Sequence, residues 1–114
     1  MKENLLKIIN HYGLSPQLKY FQSEVFELNE AIITFENEPL NFLGAANKTH
    51  IKEEIGDVLC MLRQFQYYYS FTDEEIDDVV KYKVYRQLER MRNDENNWFF
   101  SRIRKGRYSK KNNI

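Results

Sequence analysis

Residues 53–59 read EEIGDVL, and residues 23–29 read SEVFELN. Each stretch places two acids three positions apart, Glu24 with Glu27 and Glu54 with Asp57. On a helix, such a pair projects from one face, one turn apart. Apolar residues alternate with both pairs, which places the acids at the edge of a buried stripe. Because unpaired carboxylates are costly there, the four acids predict a site for a hard cation such as Mg²⁺, which prefers oxygen ligands.

Composition limits the classes of protein to which the chain can belong. Its 114 residues suit one domain with a modest core. No apolar run approaches the roughly 18 residues of a membrane span, and the N-terminus lacks the pattern of a secretory leader. We therefore expect no membrane partner and a cytoplasmic location. The single cysteine, Cys60, excludes an internal disulfide, and its apolar neighbours predict a buried, inert thiol.

The net charge of zero conceals a division along the chain. Residues 1–98 hold 11 basic and 17 acidic residues, a balance of −6, whereas residues 99–114 hold 6 basic residues and no acid, a balance of +6. The sequence therefore predicts an acidic body followed by a basic tail.

Turn and cap signals divide the body into four helices. We predict helices at residues 3–11, 16–37, 50–70 and 73–92. Gly13 ends the first, Ser15 and Pro16 start the second, Thr49 caps the third, and the capping box TDEE at 72–75 starts the fourth. Residues 38–48 form an apolar connection, which we expect to pack back on the body; the alternative is that it forms a pocket wall.

Apolar residues on the two acid-bearing helices follow the spacing of a core-facing stripe. The predicted stripe contains, on the second helix, Leu18, Phe21, Val25, Leu28, Ile32 and Phe35, and on the third, Ile51, Ile55, Val58, Leu59, Leu62 and Phe65. The chain is thus predicted to be all-α: an antiparallel four-helix bundle in residues 1–93, followed by a basic, partly disordered tail in residues 94–114.

Two other interpretations compete with a Mg²⁺ site: ordinary ion pairs and a di-iron site. Glu24 and Glu27 could form ordinary ion pairs with Lys19, Lys52 or Arg63. A di-iron bundle is disfavoured, because such sites use Glu-x-x-His and neither His11 nor His50 follows a glutamate at that spacing. We expect His50 to lie in the first turn of its helix rather than to act as a ligand.

At these motifs the chain resembles the MazG-like, all-α nucleoside triphosphate pyrophosphohydrolases. Their signature is E-x-x-E followed after a spacer by E-x-x-D, here residues 24–27 and 54–57 with 26 residues between them. The words EVFELNEA at 24–31, EEIGDVL at 53–59 and KVYRQLER at 83–90 also resemble compact, phage-type members with a single motif set. Ser23 stands where many members have a further glutamate.

The resemblance implies a hydrolase that cleaves a (d)NTP to the (d)NMP and pyrophosphate with Mg²⁺, or alternatively Mn²⁺. It implies that Glu24, Glu27, Glu54 and Asp57 are metal ligands, with Glu27 and Glu54 in catalytic roles and Glu27 orienting the water. It also implies pairing with a second subunit, as a homodimer or homotetramer.

Substrate contacts are predicted from residue type. Phosphate contacts are expected from Lys81, Lys83 and Arg86, because cations complete a triphosphate site. Base stacking could involve Phe42, Tyr82, Tyr85 or Trp98, although packing is the favoured role of each. Phe21 and Phe26 are assigned to packing.

The alternative function is a nucleic-acid- or partner-binding module. The basic tail carries Trp98, Phe99, Phe100 and Tyr108 among its cations, a composition that suits phosphate contacts and base stacking. A solubilising tail is the favoured interpretation.

Overall fold

The computed structural model describes the backbone of residues 1–37 and 44–105 and the side chains of residues 1–37 and 47–97. These ranges hold α1 (Lys2–Tyr12), α2 (Leu14–Glu36), α3 (Gly44–Tyr68) and α4 (Asp73–Lys105), and no strand within them. The all-helical class is therefore confirmed. No described helix combines the length and the apolar character that a membrane crossing requires.

Chain contacts divide the molecule into two units, Met1–Thr72 and Asp73–Ile114. The first unit contains α1, α2 and α3, and the second contains α4. The domain boundary predicted between residues 93 and 94 lies inside α4.

Gly13 separates the first two helices. Its φ of 93° lies in the region that glycine adopts without a steric penalty. Its amide donates to the Ile9 carbonyl at 2.7 Å, which closes α1 as predicted. The same residue is the N-cap of α2, so the cap predicted at Ser15 is wrong. Pro16 still lies in the first turn, where its missing N–H leaves no helix bond unmade.

Two helices are longer than predicted. Helix α3 begins at Gly44, six residues before the predicted start at His50. Helix α4 continues to Lys105, past the predicted end at Arg92, so residues 94–105 of the predicted tail are helical. Residues 38–43 and 106–114 lie outside the described residues, and so does the disorder predicted for the end of the tail. The apolar side chains of the predicted connection, in residues 40–46, lie outside them too, so packing on the body and forming a pocket wall both stay predictions.

Side-chain contacts show that α2 and α3 run in opposite directions. Gln17 bonds Gln64 at 2.8 Å near the start of α2 and the end of α3. The Lys48 ammonium lies 5.9 Å from the Phe35 ring centroid at the other end of the pair. Helix α1 packs on α3 as well, where the Lys2 ammonium lies 5.7 Å from the ring centroid of Tyr67. This arrangement brings the centres of α2 and α3 together.

The interior of the first unit is unusually polar. The buried apolar residues are Leu5, Ile9, Ala31 and Met61, whereas the buried polar residues are Gln17, Glu24, Glu54, Gln64 and Gln66. Gln66 is satisfied locally, because its amide donates to the Phe71 carbonyl at 3.2 Å and accepts from Arg63 at 2.9 Å. The two glutamates and the other two glutamines follow the interface of α2 and α3.

Much of the predicted apolar stripe is not buried. Phe21 packs edge-to-face on Phe65 at 5.4 Å, as a core pair would. In contrast, five stripe residues are between 39% and 51% exposed: Leu18, Ile32, Ile55, Leu59 and Leu62. The core assignment of these five is wrong for the single chain, because the spacing identifies an apolar face but not what covers it. Cys60 is also exposed, contrary to the prediction of a buried thiol.

Helix α4, considered by itself, is amphipathic with an open apolar side. Val79, Val84 and Leu88 are exposed. Elsewhere on α4, neighbouring side chains interact. Arg92 and Glu89 form an ion pair at 3.1 Å, and the Arg86 guanidinium lies 5.6 Å from the Tyr82 ring centroid, a cation–π contact.

Among the described side chains of the first unit, Ile9 is the aliphatic one that is fully buried, and its neighbour Ile8 is 38% exposed. We expect Ile9→Ala to lower the free energy of unfolding by about 2–5 kcal/mol, the usual cost of truncating a buried aliphatic side chain. Ile8→Ala is the matched control and should cost clearly less. Urea unfolding followed by circular dichroism measures both; equal losses would show that the packing of α1 is misplaced.

Candidate metal centre

Three carboxylates meet at the centre of the α2–α3 interface. Glu24 and Glu54 are 5% and 7% exposed, whereas Glu27, one turn after Glu24, is exposed. Each of the three offers an oxygen, and these oxygens lie within 4.8 Å of one another. We call Glu24, Glu27 and Glu54 the acid cluster. The antiparallel packing of two helices brings it together from motifs far apart in the chain.

Two oxygens of the acid cluster lack partners. Glu24 Oε2 and Glu54 Oε2 are buried, and neither accepts a hydrogen bond from the described residues. A buried polar atom without a partner is uncommon and costs folding free energy. A cation between the two helices would satisfy both atoms, and the all-oxygen donor set suits Mg²⁺ or Mn²⁺. Exposed acids alone would not support this assignment; the two buried oxygens do.

The electrostatics of the cluster agree with an uncompensated negative charge. Burial raises the pKa of Glu24, and the charges of Asp57, Glu27 and Glu54 raise it further. A hydrogen bond from the Tyr20 hydroxyl acts in the opposite direction by stabilising the carboxylate. The same hydrogen bond, with the negative charge of Glu24, raises the pKa of Tyr20.

Asp57 stands apart from the other three predicted ligands. It is exposed and is not among the residues whose oxygens approach within 4.8 Å. Its charge nevertheless contributes to the raised pKa of Glu24, so it lies near the cluster. The structure thus brings three of the four predicted ligands together and places the fourth at the margin.

His50 is a neighbour of the site that the sequence analysis did not assign to it. Its Nε2 lies 3.7 Å from Glu54 Oε1, four residues further along α3. Because α3 begins at Gly44, His50 lies in the second turn and not in the first as predicted. When protonated, it would offset part of the negative charge on Glu54.

Two pockets flank the acid cluster. The first, which we call the His50 pocket, has a volume of about 500 Å³ and is lined by Phe26, Glu27, Glu30, Ala31, Thr34, Asn47, His50 and Glu54. The second, which we call the Gln pocket, has a volume of about 520 Å³ and is lined by Ile8, Tyr12, Pro16, Gln17, Tyr20, Glu24, Asp57, Cys60, Met61 and Gln64. Both volumes lie within the roughly 300–1,000 Å³ of small-molecule sites.

Several pocket residues were missed or misassigned by sequence reasoning. Phe26, assigned to packing, is 64% exposed and lines the His50 pocket. Tyr20 and His50 precede Glu24 and Glu54 by four positions each, the spacing that places side chains next to each other on a helix. A search for polar residues at that spacing from the motif acids would have found both.

The predicted substrate contacts belong to the second unit or lie outside the described residues. Lys81, Lys83, Tyr82 and Tyr85 are exposed on α4, and Arg86, partly exposed, packs over Tyr82. They belong to the second unit, so their roles in phosphate and base binding stay predictions. Phe42 and the side chain of Trp98 lie outside the described residues. The side chains of the basic tail from residue 98 onward lie outside them too, so nucleic-acid binding through the tail also stays a prediction.

The raised pKa of Glu24 predicts how stability depends on pH. The folded protein holds this proton more tightly than the unfolded chain, so metal-free stability should fall as pH rises from about 4.5 through the raised value. We expect Glu24→Gln to remove this loss, which makes the variant more stable than the parent at neutral pH. Urea unfolding across pH, without metal, tests this. Glu36→Gln, at an exposed acid of α2, is the control. If the free energy of unfolding depends on pH in the same way for the parent and for Glu24→Gln, the prediction is wrong.

Comparison with known proteins adds no support for or against a metal centre. No protein-family model, curated protein or solved structure matches the chain. The case for a metal centre therefore rests on the acid cluster, its two buried oxygens without partners and the two pockets beside it.

Proposed function

We propose that this protein is a Mg²⁺-dependent nucleoside triphosphate pyrophosphohydrolase that converts a (d)NTP to the (d)NMP and pyrophosphate. The observation that carries the proposal is the pair of buried carboxylate oxygens without partners, Glu24 Oε2 and Glu54 Oε2, within a cluster of three acids. The motif resemblance supplies the reaction, and the two flanking pockets supply room for a nucleotide.

The acid cluster would hold the ion through Glu24, Glu27 and Glu54, with Mn²⁺ as the alternative ion. When bound, Mg²⁺ neutralises the triphosphate charge and polarises the phosphoanhydride. The burial of Glu24 and Glu54 on facing helices restricts their movement, and the Tyr20 hydroxyl stabilises the charged form of Glu24. Such preorganisation lets the site act without rearranging during the reaction.

Glu27 is the group that we assign to the water. It is exposed at the edge of the His50 pocket, where water can reach it, whereas Glu24 and Glu54 are buried. The water oxygen forms a bond to a phosphorus atom of the α–β anhydride, and the bond from that phosphorus to the bridging oxygen breaks. The proton of the water passes to a Glu27 carboxylate oxygen, and the (d)NMP and pyrophosphate separate, the leaving group being whichever of them keeps the bridging oxygen.

The proposal includes assembly with a second copy of the chain. Stripe residues of α2 and α3, among them Leu18, Ile55 and Leu59, leave about half of their apolar side chains exposed on the helices that carry the acid cluster. Grouped apolar side chains mark contact surfaces in soluble proteins. A homodimer or homotetramer would bury these side chains and support the helices that hold the acids.

Substitution of one buried acid tests the proposed reaction. We expect Glu54→Gln to lower kcat/KM by more than the roughly 10–100-fold that substitutions around a ligand shell cost. Asp57→Asn should cost less, because Asp57 is not in the acid cluster. Pyrophosphate release with a panel of (d)NTPs and Mg²⁺ is the measurement. The control is Glu53→Gln, at an exposed acid directly before Glu54. Full activity of Glu54→Gln, or no turnover of any nucleotide by the parent with metal bound, would contradict the proposal.

Assembly is tested independently of turnover. Sedimentation velocity of the parent should show a dimer or a larger homo-oligomer, and Leu59→Asp should shift the distribution toward monomer, because a charge would have to be buried in the contact. Lys52→Asp, at an exposed position of α3, serves as the control and should not dissociate the assembly. A parent that sediments as a monomer at all concentrations would disprove this part of the proposal.

A further inference from the structure

The Gln pocket has a chemical character of its own. Its lining comes from α1, α2 and α3 and includes two carboxylates, Glu24 and Asp57. The His50 pocket, in contrast, contains three carboxylates, Glu27, Glu30 and Glu54, which suit a cation and water better than an uncharged ring. A ligand that carries both a phosphate chain and an uncharged ring would therefore place its ring in the Gln pocket.

Two buried amides line the Gln pocket. Gln17 Nε2 donates to Gln64 Oε1 at 2.8 Å, and the two residues are 7% and 2% exposed. Gln64 Nε2 has only sulfur partners among the described residues, Cys60 Sγ and Met61 Sδ, each at 3.7 Å. Because sulfur is a weak acceptor, this nitrogen is a buried donor without a good partner. An oxygen or ring nitrogen of a ligand would satisfy it better.

The remaining lining suits a flat ring. Tyr12 and Tyr20 are both exposed by more than half, although each lines the pocket. Exposed tyrosine rings beside a pocket can stack on a planar ligand, and Ile8 and Met61 add apolar contacts. Buried amides combined with aromatic rings are the groups that proteins use to bind the edge and the face of a nucleobase.

We propose that the Gln pocket binds the base of the nucleotide, with Gln17 and Gln64 contacting the base edge and Tyr12 and Tyr20 contacting its face. This inference rests on the proposed function for the identity of the ligand. It names residues other than Phe42, Tyr82, Tyr85 and Trp98, which the sequence analysis considered for base stacking while favouring packing for each. Glu24 belongs both to the lining of the Gln pocket and to the acid cluster, so a base bound in this pocket would have its phosphate chain close to the proposed metal centre.

A direct test observes the side-chain amides without catalysis or metal. The protein labelled with ¹⁵N is titrated with adenosine, guanosine, cytidine, uridine and thymidine and with their monophosphates, up to their solubility limits. We expect the side-chain amide signals of Gln17 and Gln64 to shift with at least one of them, while that of Gln22, exposed on α2, stays in place. If neither amide responds to any of these ligands, the base site is disproved.

A second test removes both amides together. In the double variant Gln17→Leu and Gln64→Leu, both partners of a buried bond become apolar, which costs less stability than removal of one alone. We expect KM for the preferred nucleotide to rise about 10-fold or more and the discrimination between bases to narrow. Gln22→Leu is the matched control. Circular dichroism and urea unfolding confirm that the double variant is folded.

The two proposals fail in different ways. If the parent hydrolyses a (d)NTP but the amides do not respond and the double variant behaves like Gln22→Leu, the base site is wrong and the hydrolase stands. If the amides respond to nucleosides but no (d)NTP is hydrolysed, the base site stands and the hydrolase is wrong.

Discussion

The close approach of two buried carboxylates across the α2–α3 interface is the main physical constraint on the first unit. Glu24 and Glu54 are buried against each other's helices, and each keeps one oxygen without a partner. In the described residues, buried polar side chains outnumber buried apolar ones by five to four, so little apolar burial offsets this cost. Whatever binds the acids therefore also stabilises the fold, since a ligand that prefers the folded state shifts the folding equilibrium.

The proposed metal site and the proposed subunit contact would both involve α2 and α3. Each of α2 and α3 buries one motif acid, Glu24 or Glu54, and leaves apolar residues such as Leu18 and Leu59 exposed to solvent. A partner that covers the open side would restrict the motion of both helices and so fix the distances between the acids. Ligand binding and subunit association would then be thermodynamically linked, and each would strengthen the other.

The sequence predicts the helices and the acid motifs well, because both follow from a helical period visible in the residues. It predicts helix ends less well. Residues 44–48 extend α3 although Thr49 is an acceptable N-cap, and the segment combines two alanines, which favour helix, with Gly44 and Asn47, which do not, so its composition does not locate the start. Helix α4 continues to Lys105 because no proline or glycine interrupts it before Gly106. The exposure of apolar side chains is the hardest to predict. Phe26 and Ile55 lie on apolar helix faces, and the sequence does not specify which element, if any, packs against those faces.

The single cysteine provides a site for covalent labelling of the Gln pocket. Cys60 is exposed, lines that pocket, and has its sulfur 3.7 Å from Gln64 Nε2. A thiol-reactive fluorophore would therefore attach at one defined position, beside the amide pair, with no competing cysteine elsewhere in the chain. Fragments bearing a mild electrophile could be tethered there and screened by mass spectrometry, so the pocket is open to covalent ligand discovery without prior engineering.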